Sequence, residues 1–152
     1  MPVVHALLQV REEIERVVPG LSQTEVWARP GGAASVAFHL VHLAGSLDRL
    51  LTYARGEALS ATQRESLDAE ERAGEAVQSA VALLRLAREA IDAAVAEVRQ
   101  TPIATLTDGR LVGRSALPST VGGLLFHAAE HAQRHAGQFV TTVKVIRGLG
   151  LS

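Results

Sequence analysis

Cysteine is absent from the chain, so it forms no disulfide and offers no thiol as nucleophile or metal ligand, a pattern that suits a cytoplasmic protein. Any metal must be held by His, Asp and Glu. Aromatic residues are scarce, at 3%, while hydrophobic residues reach 47%; with an excess of alanine, this composition points to closely packed helices rather than to a disordered chain. No strong charge of one sign is present. The formal net charge is −1, and fourteen arginines are scattered among sixteen acids, which argues against a nucleic-acid partner because phosphate binding calls for a basic face. Long apolar runs are missing too. Charges begin at Arg11, the N-terminal segment lacks signal-peptide form, and nowhere do about eighteen apolar residues follow one another. The expectation is a cytoplasmic protein without a membrane partner.

At 152 residues the chain fits one domain with a core that needs no staples. Four segments carry apolar residues at alternating steps of three and four, the period of a buried helix stripe. The first runs from about Pro2 to Val18, striped by Val3, Leu7, Val10, Ile14 and Val17 and stopped by Pro19-Gly20. The second runs from about Ala34 to Arg55, striped by Val36, Leu40, Leu43, Leu47, Leu50 and Ala54, with Gly56 as its cap. Trp27 is expected to plug the bundle end between them.

A polar stretch from Ser60 to about Gly74 opens with the capping pattern "SATQ". A third helix follows, striped by Val77, Val81, Leu84, Ile91, Val95 and Val98 and closed by Thr101-Pro102. The segment "TPIATLTDGRLVGRSALPS" contains an Asp108-Gly109 turn signal and reads as a long loop with a small hairpin. The fourth helix is expected from Ser119 or Thr120 to about Arg147. The fold class is therefore all-α, a four-helix bundle of up-and-down type with a long loop before the last helix.

The last helix carries "HAAEHAQRHAGQ", with His127, His131 and His135 one turn apart. At roughly 100° per residue, His131 and His135 lie beside the apolar stripe of Val121, Leu125, Ala128, Ala132, Phe139, Val143 and Ile146. His127 has drifted farther round, and Glu130 sits almost opposite, badly placed as a buried base. A His-x3-His pair presents two nitrogens to one divalent ion across a single turn. A third ligand must come from elsewhere, and the second helix supplies "FHLVHLAG" with His39 and His42. The wheel puts His39 nearer the stripe and His42 at its rim, and leaves both open as ligands. His5 is an ordinary residue of the first helix.

The segments "SVAFHLVHLAGSLDRLL" and "HAAEHAQRHAGQ" resemble the DinB/YfiT-like superfamily of four-helix metalloproteins. The resemblance implies one such domain over residues 1–152 and a metal triad of His42, seven residues after Ser35, with His131 and His135 just before Gly137-Gln138. It implies a homodimer as well. Three neutral imidazoles leave a divalent ion its full charge and at least one open position. Zinc suits these nitrogens best on availability and geometry, and nickel binds histidine at least as strongly.

Superfamily members of known activity include thiol-dependent transferases, so the resemblance implies a thiol S-transferase acting in detoxification or stress response, with a low-molecular-weight thiol as cosubstrate and an electrophile as its target. Arg49, Arg110 and Arg114 are candidates for contacting an anionic cosubstrate, against a stronger reading as surface charge. Gln138 is a candidate to orient a ligand or water, with a helix-packing amide as the equal alternative. Two further readings stay open: a metal-dependent hydrolase, for which Asp48 is the nearest though weak base, and a non-catalytic metal- or ligand-binding stress protein.

Overall fold

The computed structural model describes residues 1–70 and 78–150. Helices α1 (Pro2–Val17), α3 (Val36–Ala54), α5 (Ala80–Gln100) and α6 (Val121–Gly148) form the bundle; α2 (Gln23–Trp27) and α4 (Ala61–Glu70) are short additions. Helix α3 packs on α6 and α5, and α1 packs on the same two. The first two bundle helices therefore face each other across the diagonal.

Capping residues set the helix starts. Hydroxyls of Ser35, Ser79 and Thr120 accept from the backbone N–H three residues on, at Phe38, Ala82 and Gly123. The Ser60-Gln63 pattern forms a reciprocal capping box: Gln63 N–H donates to the Ser60 hydroxyl, and Ser60 N–H to the Gln63 side chain. Gly56, at φ +81°, ends α3 in a conformation that a side chain would strain. Among the described residues no helix is long and apolar enough to cross a membrane.

The core joins Leu7, Val10 and Ile14 of α1 with Leu40, Leu43 and Leu47 of α3, Ile91 and Val98 of α5, and Phe139 of α6, all buried. One part of the expected α5 stripe is corrected. Val81 is 77% exposed, and Leu83 and Ala87 occupy the buried positions instead, because Val81 lies about 200° round the helix from Leu83, on the solvent side, while Ala80 packs against the core. Val77 lies outside the described residues. Trp27 packs against the core and its indole N–H donates to the Gln78 carbonyl, just ahead of α5.

The expected hairpin is present, with β1 (Gly109–Val112) antiparallel to β2 (Leu117–Thr120). Its tip is Gly113 to Ala116, and Asp108-Gly109 forms the entry instead. The loop before it satisfies the free N–H groups that open α6: Val121 N–H donates to the Asp108 carbonyl and Gly122 N–H to that of Leu106. A Cβ at Gly122 would sit 3.0 Å from that Leu106 oxygen, so close approach of the loop calls for glycine there.

Candidate metal centre

Helices α3 and α6 meet in an antiparallel sense, since His39 pairs with His135 while His42 pairs with His131. Two residues one turn apart on each helix thus bring four imidazoles into one layer. One ring nitrogen each from His42, His131 and His135 lies within 4.8 Å of the other two. His42 Nε2 and His131 Nε2 are 3.0 Å apart. Two nitrogens on a tetrahedral zinc ion stand about 3.3 Å apart for bonds of about 2.0–2.1 Å, so a small spreading of this pair accommodates the ion. The residues present fit a divalent metal.

Charge also favours that fit. Burial, then the neighbouring His42 and Arg134, lowers His131 to about 4, and burial with His42, His131 and His39 lowers His135 to about 3. Burial and His42 lower His39 in the same direction. At neutral pH these rings are uncharged and have lone pairs to give.

His42 is held from behind. Its Nδ1 is 2.8 Å from Glu70 Oε2, and a carboxylate there accepts, so Nδ1 carries the proton and Nε2 keeps the lone pair facing His131. Glu70 is only 4% exposed. Its second oxygen takes a hydrogen bond from Arg49 Nη1 at 2.6 Å, and Arg49 Nη2 reaches Oε2 at 3.2 Å. Burial works to raise the Glu70 carboxyl, but the contacts with His42 and Arg49 outweigh it and hold it below the usual carboxylate value. The slot for this pair is cut by Gly45, where a Cβ would lie 2.2 Å from Glu70 Oε1 and 2.7 Å from Arg49 Nη1.

Several candidates fall elsewhere. Arg49 is neither surface charge nor a contact for a cosubstrate, because it is buried in the pair with Glu70. Arg110 donates to the Ala54 carbonyl, about 18 Å along α3 from His42 by helical rise, and Arg114 lines a cavity at that same end with Tyr53 and Gly56. Asp48 is exposed and accepts from the Gln63 amide. His127 is exposed and paired with Glu130. Gln138 is exposed and lines a cleft with His39 and Arg134.

Sequence reasoning did not single out Glu70 or Arg134. Glu70 gave no signal, because its partners are 28 and 21 residues away. Arg134 did give one: it stands three residues after His131, at contact spacing on the helix, and its Nη2 lies 3.1 Å from His131 Nδ1.

Comparison with known proteins agrees with the fold. Residues 6–139 match the DinB superfamily. A conserved protein from Enterococcus faecalis has a similar structure, with a TM-score of 0.75 and 20% identity over 96% of this chain and 95% of that one. YfiT from Bacillus subtilis, described as a probable metal-dependent hydrolase with an unusual four-helix bundle topology, is similar with a TM-score of 0.72 and 16% identity over 99% of this chain and 87% of its own. No curated protein matches the sequence significantly.

Proposed function

We propose that this chain, which belongs to the DinB superfamily, holds one divalent ion, zinc or else nickel, through His42, His131 and His135 and joins a low-molecular-weight thiol to an electrophile in detoxification or stress response. The observation that supports this is the donor set: imidazole nitrogens within 4.8 Å of one another, with the nearby carboxylates engaged elsewhere. Glu70 faces His42 Nδ1 and Arg49, Asp48 faces Gln63, and Glu130 faces His127. An ion there would supply Lewis acidity and an open position at which a thiol is held ionised.

A thiol suits such a site better than water does, because its ordinary pKa is about 8.5 against about 15.7 for water. Its proton would pass to solvent, and its sulfur would bond to the electrophilic carbon as the leaving group departs with its electron pair. The chain contributes orientation: Glu70 fixes the tautomer of His42, and the rigid α3–α6 pair fixes the spacing.

A second reading, hydrolysis by water at the same place, draws on the description of YfiT. It calls for a group that takes up or delivers a proton, and no described carboxylate is placed for that. Turnover assays on zinc- and nickel-loaded protein separate the readings. Saturable, thiol-dependent consumption of an electrophile such as monochlorobimane with glutathione or a comparable small thiol, lost in His131→Ala, is the expected result. Ester or amide hydrolysis without thiol would replace this reading with the hydrolase, and a bound ion with neither activity would leave a binding protein. A homodimer belongs to the same proposal, and light scattering at micromolar concentration tests it.

A further inference from the structure

An open cleft of about 450 Å³ adjoins the histidine layer, lined by His39, Arg134, Gln138, Thr141 and Thr142 against a wall of Ala33 and Ala34. It lies about one helical turn beyond His135 along α6, at the N-terminal end of α3, where the helix dipole is positive. Its polar groups are mostly hydrogen-bond donors or able to donate.

His39 is the informative member. Only 5% of it is exposed, and its Nδ1 is 3.0 Å from His135 Nδ1, so one of those two nitrogens carries the shared proton. With Nδ1 of His135 engaged, the nitrogen it has left for the cluster is Nε2. For Nε2 to present a lone pair, Nδ1 must carry the proton and donate to His39 Nδ1. Neutral His39 then has its own proton on Nε2. That Nε2–H has no partner among the described residues, and His39 is one of the residues that line the cleft.

Arg134 follows the same logic. As arranged, its Nη2 donates to His131 Nδ1, which leaves the His131 proton on Nε2, directed at His42 Nε2. Once His131 Nε2 offers a lone pair instead, its proton sits on Nδ1 and faces the guanidinium donor to donor. Arg134 must let go. Its side chain is exposed and already lines the cleft.

We propose that this cleft is an anion subsite: it takes the carboxylate of a small molecule whose other end reaches the histidine cluster, with His39 Nε2–H and the released Arg134 as its donors and Gln138 beside them. The proposal rests on the metal reading above for the tautomers, but not on whether the reaction is transfer or hydrolysis. It also implies order, because Arg134 becomes free for the carboxylate only when His131 turns its lone pair inward.

The test uses full-length protein whose zinc content has been measured, and two matched pairs of probes, 3-mercaptopropionate against 3-mercaptopropanol and succinate monohydroxamate against butyrohydroxamate. Calorimetry should show the carboxylate member of at least one pair binding about tenfold or more tightly than its neutral partner, as a charge-assisted contact implies. Arg134→Gln and His39→Phe should each reduce that preference to about threefold or less with zinc retained, and His39→Gln, which keeps a donor, should restore part of it. Arg134 is exposed, so its variant decides the matter if His39→Phe fails to fold. Equal binding of charged and neutral members in both pairs, or a preference untouched by Arg134→Gln, overturns the anion subsite while leaving the metal centre in place. Failure of the wild type to hold zinc or nickel removes the reading beneath it, and the proposal with it. Binding of hydroxamates but of neither thiol counts against the thiol reaction alone.

Discussion

Two buried glutamates do different work in this bundle. Glu25 is 6% exposed and Glu70 is 4% exposed, and each meets an arginine. Glu25 closes a capping box on α2, accepting from the N–H of Ser22 three residues away, and takes a hydrogen bond from Arg147 at 3.2 Å. Its role is to finish a helix end. Glu70 gives one oxygen to Arg49 and shares the other between Arg49 and a histidine of the cluster, in a slot that exists only because residue 45 has no side chain. A buried ion pair adds little net stability over an apolar replacement, because desolvation offsets the attraction. Its use here is to hold an imidazole in one tautomer, which the Glu25 pair has no occasion to do.

The comparison can be broken most sharply at the histidines themselves. His42→Ala, His131→Ala and His135→Ala should each lose the ion, since two imidazoles seldom suffice for a tight site, whereas His39→Ala should retain it; elemental analysis after gel filtration reads the difference. Retention in His42→Ala with loss in His39→Ala would move the site one turn along α3.

Arg49→Ala comes next. It leaves the Glu70 carboxylate buried without its main partner, and denaturant melts of the metal-free protein should show a loss of about 3–5 kcal/mol. Gly45→Ala should act in the same direction by forcing Glu70 and Arg49 apart.

Glu70→Gln is more moderate and more diagnostic. It should weaken zinc binding by about 10–100-fold, the usual cost of losing a partner behind a metal ligand, as read by competition with a chelating dye. Glu25→Gln should leave zinc affinity unchanged and lower stability by no more than about 1 kcal/mol, because glutamine still accepts from the Ser22 N–H, as Gln63 does at Ser60, and only the charge facing the half-exposed Arg147 is lost. If the two variants shift zinc affinity alike, the contrast between the glutamates is wrong.

The smallest effect concerns pH. The hydrogen bond from the Ser22 backbone, with Arg147 beside it, holds the Glu25 carboxyl below its ordinary value of 4.5 despite burial. The unfolded chain then takes up the proton first as acid is added, so this contribution is fully present above that ordinary value and is lost as pH falls through the lowered one. The stability gap between wild type and Glu25→Gln should close on acidification from pH 6 toward 3, as followed by urea melts. A constant gap would show that packing, not charge, carries the contact.

Legibility follows sequence separation. The cap at Ser60, the glycine end at Gly56, the start of α6 near Thr120 and the stripes of α1, α3 and α6 are written in residues three or four apart, so periodicity and capping patterns reach them. The α5 stripe was misplaced at Val81 because steps of three and four back from Leu84 lead equally to Val81 and to Ala80, and only the packing decides that the Ala80 side faces the core. His131 and His135 share a face by spacing alone. His42 and His39 could not be ranked that way: the wheel favours the more buried ring, and His39 is indeed the more buried, yet it is His42 whose nitrogen joins the other two within 4.8 Å.

The sequence by itself determined the helical class, the caps at Ser60 and Gly56, the absence of any thiol and the pairing of two imidazoles on one helix face, because each depends on composition or on neighbours within one turn. Tertiary structure alone decided that α1 and α3 lie across the diagonal, that Glu70 and Arg49 meet behind His42 beside Gly45, and that Arg134 and His39 border one cleft. These contacts join residues brought together by the packing of separate helices, and the energy that selects them is the burial of the whole core rather than any local preference.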